Sequence, residues 1–186
     1  MHASLIVMGI GRHRVIDRVV GTETALRVIQ LASCPVLAIA PGFHALPRAV
    51  VVATDFSPDS MRAAEAVRPL LAPDATVHLL HVWEPENGTD AREQQRDASY
   101  RAALPARFAA VTAQLAAPAG VQIKCETREG RPAARLVDFA TAHSCDLIVA
   151  GRHGLTALRR LLVGSVTGAL VRGAPCSVLV VPTGVG

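Results

Sequence analysis

The chain has 186 residues, a length that suits one domain or one domain plus a fragment. Hydrophobic residues make up 51% but aromatic ones only 3%, so a core must be built from Val, Leu, Ile and Ala. The net charge of +4 comes from scattered Arg, with Lys124 the one Lys, and this argues against a nucleic-acid groove, which needs clustered cations and stacking rings.

Residues 4–41, SLIVMGIGRHRVIDRVVGTETALRVIQLASCPVLAIAP, read as strand, helix and strand. Residues 42–47 then form a linker, and a longer unit occupies 48–186. In RAVVVATDFSPDS an all-apolar strand at 49–53 ends on Thr54-Asp55, and Ser57 caps a helix with Pro58 in its first turn. TVHLLHVW is a second strand, 76–83, and EPENGTD is a polar loop. The Ala-rich stretch 91–116 is helical, with a bend or restart expected near Pro105. VQIKCE is a third strand, and RPAARLVDFATAHS a helix that turns Leu136, Val137, Phe139 and Ala140 inward. DLIVA is a fourth strand, SVTGALVRG a helix, and CSVLVV a fifth strand stopped by Pro182.

Near-continuous apolar strands alternating with helices predict an α/β fold: a parallel sheet with right-handed crossovers and helices on both faces. Cys34, Cys125, Cys145 and Cys176 form no CxxC pair and read as buried free thiols of a reducing compartment. No secretory leader and no apolar stretch of about 18 residues is visible, so a cytoplasmic chain without a membrane span is expected.

Residues 4–41 repeat the text of 146–182. Leu5-Ile6-Val7 answers Leu147-Ile148-Val149, Gly9 answers Gly151, and CPVLAIAP answers CSVLVVP. Gly11 to Gly21 repeats the spacing of Gly154 to Gly164, with Thr22 in place of Ser165. A piece of about forty residues rarely folds alone, so it is expected to lie as a cap on the complete unit or on another chain. It has Gly9-x-Gly11, one residue short, and Ser4 in place of Asp146, so it is not expected to bind a ligand.

Ligands of open parallel sheets bind beyond the carboxyl ends of the strands, where the winding reverses. Gly151 and Gly154 follow the fourth strand at that edge and would admit a ligand against the backbone. Gly164-Ser165-Val166-Thr167 opens a helix, whose unpaired N–H groups favour an anion, and the Ser165 and Thr167 hydroxyls would add donors. The lysine of a P-loop is missing. The same glycines would also serve turns and a helix start with no ligand at all. Asp55 ends the first strand, where it could hold a ribose hydroxyl or an adenine amino group, and the backbone at His81-Val82-Trp83 could read a base edge.

With these motifs residues 48–182 resemble a universal stress protein domain of the ATP-binding subgroup, which carries G-x2-G-x9-G-[ST]. Gly151-x2-Gly154-x9-Gly164-Ser165 matches it in full, and VVATDFSPDS and HLLHVWEP resemble the first two strands. The resemblance implies an open five-stranded parallel sheet in the order 3-2-1-4-5, preceded by the strand-helix-strand tail of a second, tandem-type domain. It implies adenine near Asp55, beside Thr54, and near the Val82 backbone, and ribose near Asp55 and Gly151. Phosphates would follow His153, Gly154, Gly164, Ser165, Val166 and Thr167, with Mg²⁺ arriving on the nucleotide, whether ATP, ADP or AMP. Fifth strands of such domains pair antiparallel, within a tandem chain or in a homodimer, and strand 36–40 would pair so with 176–181.

No catalytic residue is assigned. Asp55 is taken up by the nucleoside, and Arg152, Arg159 and Arg160 could reach β- or γ-phosphates or simply face solvent. The function expected is a non-catalytic, ATP-dependent stress-response module acting on an unknown protein partner. The alternatives are a slow ATPase at the same site and a nucleotide-free interaction module.

Overall fold

The computed structural model describes residues 3–10, 15–85, 90–115, 117–153 and 163–183, with the side chains of 15–20 left aside. The Val- and Ile-rich runs become strands β1 (Ile6–Gly9), β2 (Val36–Ile39), β3 (Ala49–Ala53), β4 (Thr76–Trp83), β5 (Gln122–Glu129), β6 (Leu147–Gly151) and β7 (Ser177–Val181). Between them lie α1 (Val15–Leu31), α2 (Pro58–Ala66), α3 (Ala91–Gln114), α4 (Pro132–Ala142) and α5 (Ser165–Gly173).

The sheet has seven strands, not the five expected, in the order β1-β2-β7-β6-β3-β4-β5. Counted within 48–186 alone, the strands fall in the order 3-2-1-4-5 and are parallel. β2 then joins β7 antiparallel and carries the sheet on into β1. The fifth-strand pairing is thus made inside this chain, and it fills the edge of β7 by which a second copy would pair.

Likeness between the two glycine-bearing segments extends to strand register. Ile6 stands opposite Val36 and Gly9 opposite Ile39, as Ile148 stands opposite Val178 and Gly151 opposite Val181. Where the segments meet, Leu37 faces Leu179, with Val36 opposite Val180 and Ala38 opposite Val178. The helices differ. α5 starts at Ser165, whereas α1 already runs from Val15 and passes through Gly21 and Thr22, so the N-terminal Gly-Thr pair opens no helix.

Both faces of the inner strands β2, β7, β6, β3 and β4 are sealed, which explains why those strands lack alternation. Val36, Val51, Ile148 and Val178 pack on one side under Ile29 of α1, Leu136 and Phe139 of α4, and Leu170 of α5. Leu37, Val50, Leu147, Val149 and Leu179 pack on the other under Ala63 and Ala64 of α2 and Phe108 and Val111 of α3.

Three expectations change. α3 continues through Pro105 without restarting, because the residues around the missing N–H, Arg101 and Ala102 among them, lie on the solvent side. β5 extends to Glu129, since its pairing with β4 persists to Trp83. Cys125 is exposed rather than buried, because β5 is an edge strand guarded by Lys124, Glu126, Arg128 and Glu129. Cys145 is buried, and that burial first of all pushes its thiol up to about 12.

Leu179 is fully buried at the meeting point of the two segments. Leu179→Ala is expected to cost about 2–5 kcal/mol in urea unfolding, while Lys124→Ala on the open edge stays within about 0.5 kcal/mol. Equal midpoints for the two variants would contradict this packing.

Candidate functional site

β3 gives way to α2 through a tightly hydrogen-bonded turn. The Thr54 N–H donates to the Leu80 carbonyl at 3.0 Å, and the buried Thr54 Oγ1 accepts the Phe56 N–H at 3.1 Å. Asp55 Oδ1 accepts the Ser57 N–H at 3.0 Å, so the carboxylate is oriented by its own turn at the end of the strand. Phe56 sits at φ 63°, a left-handed conformation costly for a bulky residue, and is held there by packing on His81 and Phe108 at 4.5 and 5.1 Å between ring centres. Ser57 then caps α2 through the Ser60 N–H, with Pro58 next.

Behind this turn lies a support that sequence reasoning did not assemble. His81 Nδ1 is 2.7 Å from the Thr54 carbonyl and Nε2 is 2.7 Å from the Tyr100 hydroxyl. A carbonyl only accepts, so Nδ1 carries the proton and Nε2 accepts from Tyr100. Burial holds His81 below the ordinary imidazole range and lifts Tyr100 above the ordinary phenol range, which keeps both neutral at pH 7. The Arg107 guanidinium lies over the rings of Phe56 and Tyr100, at 5.7 and 5.1 Å. The signal available in the sequence was the helical spacing of Tyr100, Leu104, Phe108 and Val111, which puts the one tyrosine on the inward stripe of α3.

Val82 lies near the end of β4. Leu80 bonds to the β3 side, and Trp83 accepts the Gly130 N–H on the β5 side. By strand alternation the Val82 N–H and C=O point to the β3 side, past Ala53, where β3 has ended. Its backbone therefore edges the crevice next to Asp55.

The loop after β6 is built from close backbone approaches. A Cβ at Gly151 would lie 3.1 Å from the His153 carbonyl oxygen and 3.5 Å from that of Asp59, and one at Gly164 would lie 3.0 Å from that of Arg152. The Gly164 N–H donates to the Arg152 carbonyl at 3.0 Å, and the Arg152 N–H donates to Val181 at 2.7 Å. Both glycines thus sit where a side chain would crowd a backbone oxygen, with or without a ligand. His153 is buried within this turn. Gly154, Arg159 and Arg160 lie outside the described residues.

Gly164 caps α5 without a side chain, and the first bond within the helix runs from the Gly168 N–H to the Gly164 carbonyl. The N–H groups of Ser165, Val166 and Thr167 therefore have no acceptor inside α5, and they stand at its positive end. Ser165 is exposed, Val166 half-buried and Thr167 buried. Two expectations are corrected here. The Thr167 hydroxyl donates to the Gly151 carbonyl at 2.8 Å, so its proton is not offered to a ligand. The Arg152 guanidinium turns away to the carboxyl end of α1 and to Thr183, rather than toward a phosphate. A groove of about 600 Å³ between α1 and α5 is lined by Arg27, Gln30, Gly164, Ser165 and Arg172. Among the described residues no group of three or more His, Cys, Asp or Glu is placed to hold a metal ion.

Thr54-Asp55, Val82 and Gly151 thus gather at the carboxyl edge, where β3 has β4 on one side and β6 on the other, and the start of α5 follows through the loop. The family model described as "Universal stress protein family" matches residues 47–182. The chain belongs to the universal stress protein family. A universal stress protein of Mycobacterium tuberculosis is 32% identical over 143 residues, which cover 73% of this chain and 97% of that one. One from Methanocaldococcus jannaschii is 48% identical over 62 residues, 33% of this chain, and the match spans only 36% of that relative's length. Among solved structures, a universal stress protein in complex with cAMP is 27% identical with a TM-score of 0.56, over 75% of this chain and all of that one. A universal stress protein of Archaeoglobus fulgidus shares the fold at 21% identity and a TM-score of 0.61, over 97% of this chain and 61% of that one.

His81 gives this family member a defined pH response. Its ordinary pKa is 6.5 and burial lowers it in the fold, so below pH 6.5 the unfolded chain binds a proton that the folded chain does not. Stability is full above that value and falls as pH drops toward the folded pKa. His81→Gln is expected to flatten the fall in stability that begins below pH 6.5, read from denaturant midpoints. A profile as steep as that of the parent would contradict the neutral, buried imidazole.

Proposed function

We propose that this universal stress protein binds ATP at the carboxyl edge of β3 and β6 and acts as a non-catalytic, nucleotide-dependent module of the cytoplasm. The observation that carries the reading is the start of α5. Three N–H groups without helical acceptors, on Ser165, Val166 and Thr167, stand beside the exposed Ser165 hydroxyl and a groove walled by Arg27 and by Arg172, the latter paired with Glu23 at 3.4 Å. An anion is the natural partner of that arrangement. Asp55 and the Val82 backbone, at the other end of the crevice, offer acceptor and donor groups suited to a ribose hydroxyl and an adenine edge.

In this reading the nucleoside rests on Thr54-Asp55, Val82 and Gly151. Its phosphates pass His153 and Gly154 to reach Gly164, Ser165, Val166 and the Thr167 N–H. Mg²⁺ would come with the phosphates, and ADP or AMP would use the same nucleoside end. The cyclic nucleotide in a related solved structure is that protein's ligand, and it supports an adenine nucleotide here. Residues 1–41 are a partial repeat joined by the linker 42–47 to the complete domain 48–186. Occupancy of the site would change the surface presented to a protein partner.

Thermal unfolding with and without Mg-ATP tests the site, and Ser165→Pro is the informative variant. Residue 165 is the first in α5, where proline is favoured, and Gly164 at ψ 149° already has the backbone a residue before proline needs. The substitution removes one amide proton and leaves the helix intact. At a hundredfold excess of ATP over its dissociation constant, the parent is expected to gain about 2.7 kcal/mol. Ser165→Pro is expected to keep the ligand-free midpoint and bind about tenfold more weakly, by the loss of one charge-assisted hydrogen bond. Ser165→Ala separates the hydroxyl from the amide. No stabilisation of the parent would overturn the reading, and an undiminished shift in Ser165→Pro would move ATP away from α5.

A further inference from the structure

We infer that Arg152 is a positioning residue through which helix α1 sets the place of Gly164 and so the start of α5. α1 ends without a basic residue in its last turn, so its final carbonyls have no cation of their own. Arg152, more than a hundred residues away in sequence, supplies one. Its Nη1 donates to the carbonyls of Gln30 and Ala32, both at 3.1 Å, and of Ile29 at 3.5 Å, and its Nη2 donates to Thr183 Oγ1 at 3.1 Å. A guanidinium can reach such a spread of acceptors because its donors form a rigid fork; an ammonium presents a single point of charge.

The backbone of the same residue forms the turn. Its N–H is fixed to Val181 and its carbonyl accepts the Gly164 N–H, the bond that places the first residue of α5. Side chain and main chain of Arg152 are thus anchored to different parts of the molecule, and its side chain, held at both ends, links the position of α1 to Gly164. α1 also forms one wall of the groove whose other wall begins at Gly164 and Ser165. The N-terminal segment then acts as a brace for the turn, although its own Gly21-Thr22 opens no site. On the proposed reading of this turn as a phosphate cradle, the brace tunes nucleotide affinity.

Two measurements on the full chain separate this coupling from the nucleotide reading. The first is amide hydrogen exchange at Gly164 in the ligand-free protein, below the melting range. Arg152→Met is expected to speed that exchange about tenfold, and Arg152→Lys to restore part of the protection. Val111→Ala, which weakens the packing of α3 on the opposite face of the sheet and leaves α1 and the guanidinium in place, is expected to lower the melting temperature and to leave Gly164 protected. Parent-like exchange at Gly164 in both Arg152 variants, or equal acceleration in Val111→Ala, would overturn the coupling whether or not ATP binds. The second is the ATP dissociation constant, expected to rise about five- to tenfold in Arg152→Met. An unchanged constant would overturn the affinity claim. Failure of the parent to bind ATP would instead defeat the nucleotide reading and leave the exchange result to decide the brace.

Discussion

The hydrogen bond from the Gly164 N–H to the Arg152 carbonyl closes the connection between β6 and α5, and the candidate site depends on it. The fit there is close, since a Cβ at position 164 would lie 3.0 Å from the accepting oxygen. With the turn closed, α5 must begin at Ser165. The Thr167 hydroxyl reaches back to Gly151 and ties the first turn of the helix to the end of the strand. Helix start and strand end are thereby locked together, and the amides left over face outward from the edge where the sheet's winding reverses.

The rest of the fold supplies a stiff platform for that edge. Aliphatic strands sealed by helices on both faces leave little freedom below it. Polar groups collect at the carboxyl ends, each with a defined partner: Thr54 with Leu80 and Phe56, Asp55 with Ser57, and His81 with Thr54 and Tyr100. Neutral His81 and Tyr100 stiffen the β3 turn without adding charge next to Asp55. The strained backbone of Phe56 persists because aromatic packing and this network surround it. The N-terminal segment extends the platform across β7 and shields an edge that the complete unit would otherwise expose.

Much of this was legible in the sequence, for physical reasons that differ by element. Strands β3, β4 and β7 showed as short aliphatic runs ending at polar or turn residues, and α5 was bounded by Gly164 before it and Gly173 at its end. Residues 4–41 and 146–182 carry similar text, and the strands they form share a register. The antiparallel meeting of β2 and β7 was expected from the family resemblance and not from any local pattern, because it depends on which edge two distant segments share. Arg152 was left between a phosphate and solvent for a related reason: its actual partners are carbonyls at the end of a helix near residue 30, far away in sequence. The Thr167 hydroxyl was misread, since the nearest acceptor is a backbone oxygen visible only in three dimensions. Tyr100 and Arg107 were missed because they lie on a helix otherwise exposed and polar, and their role appears only once α3 packs across the ends of β3 and β4.

Amide chemical-shift mapping of the isotopically labelled chain during titration with Mg-ATP tests the central claim most directly. The account predicts saturable shifts confined to the N–H groups of Asp55, Val82, Gly151, Gly164, Ser165, Val166 and Thr167, with the far ends of the strands unmoved. Saturable shifts centred elsewhere, or none at millimolar nucleotide, would contradict it and leave the glycine turn as architecture alone.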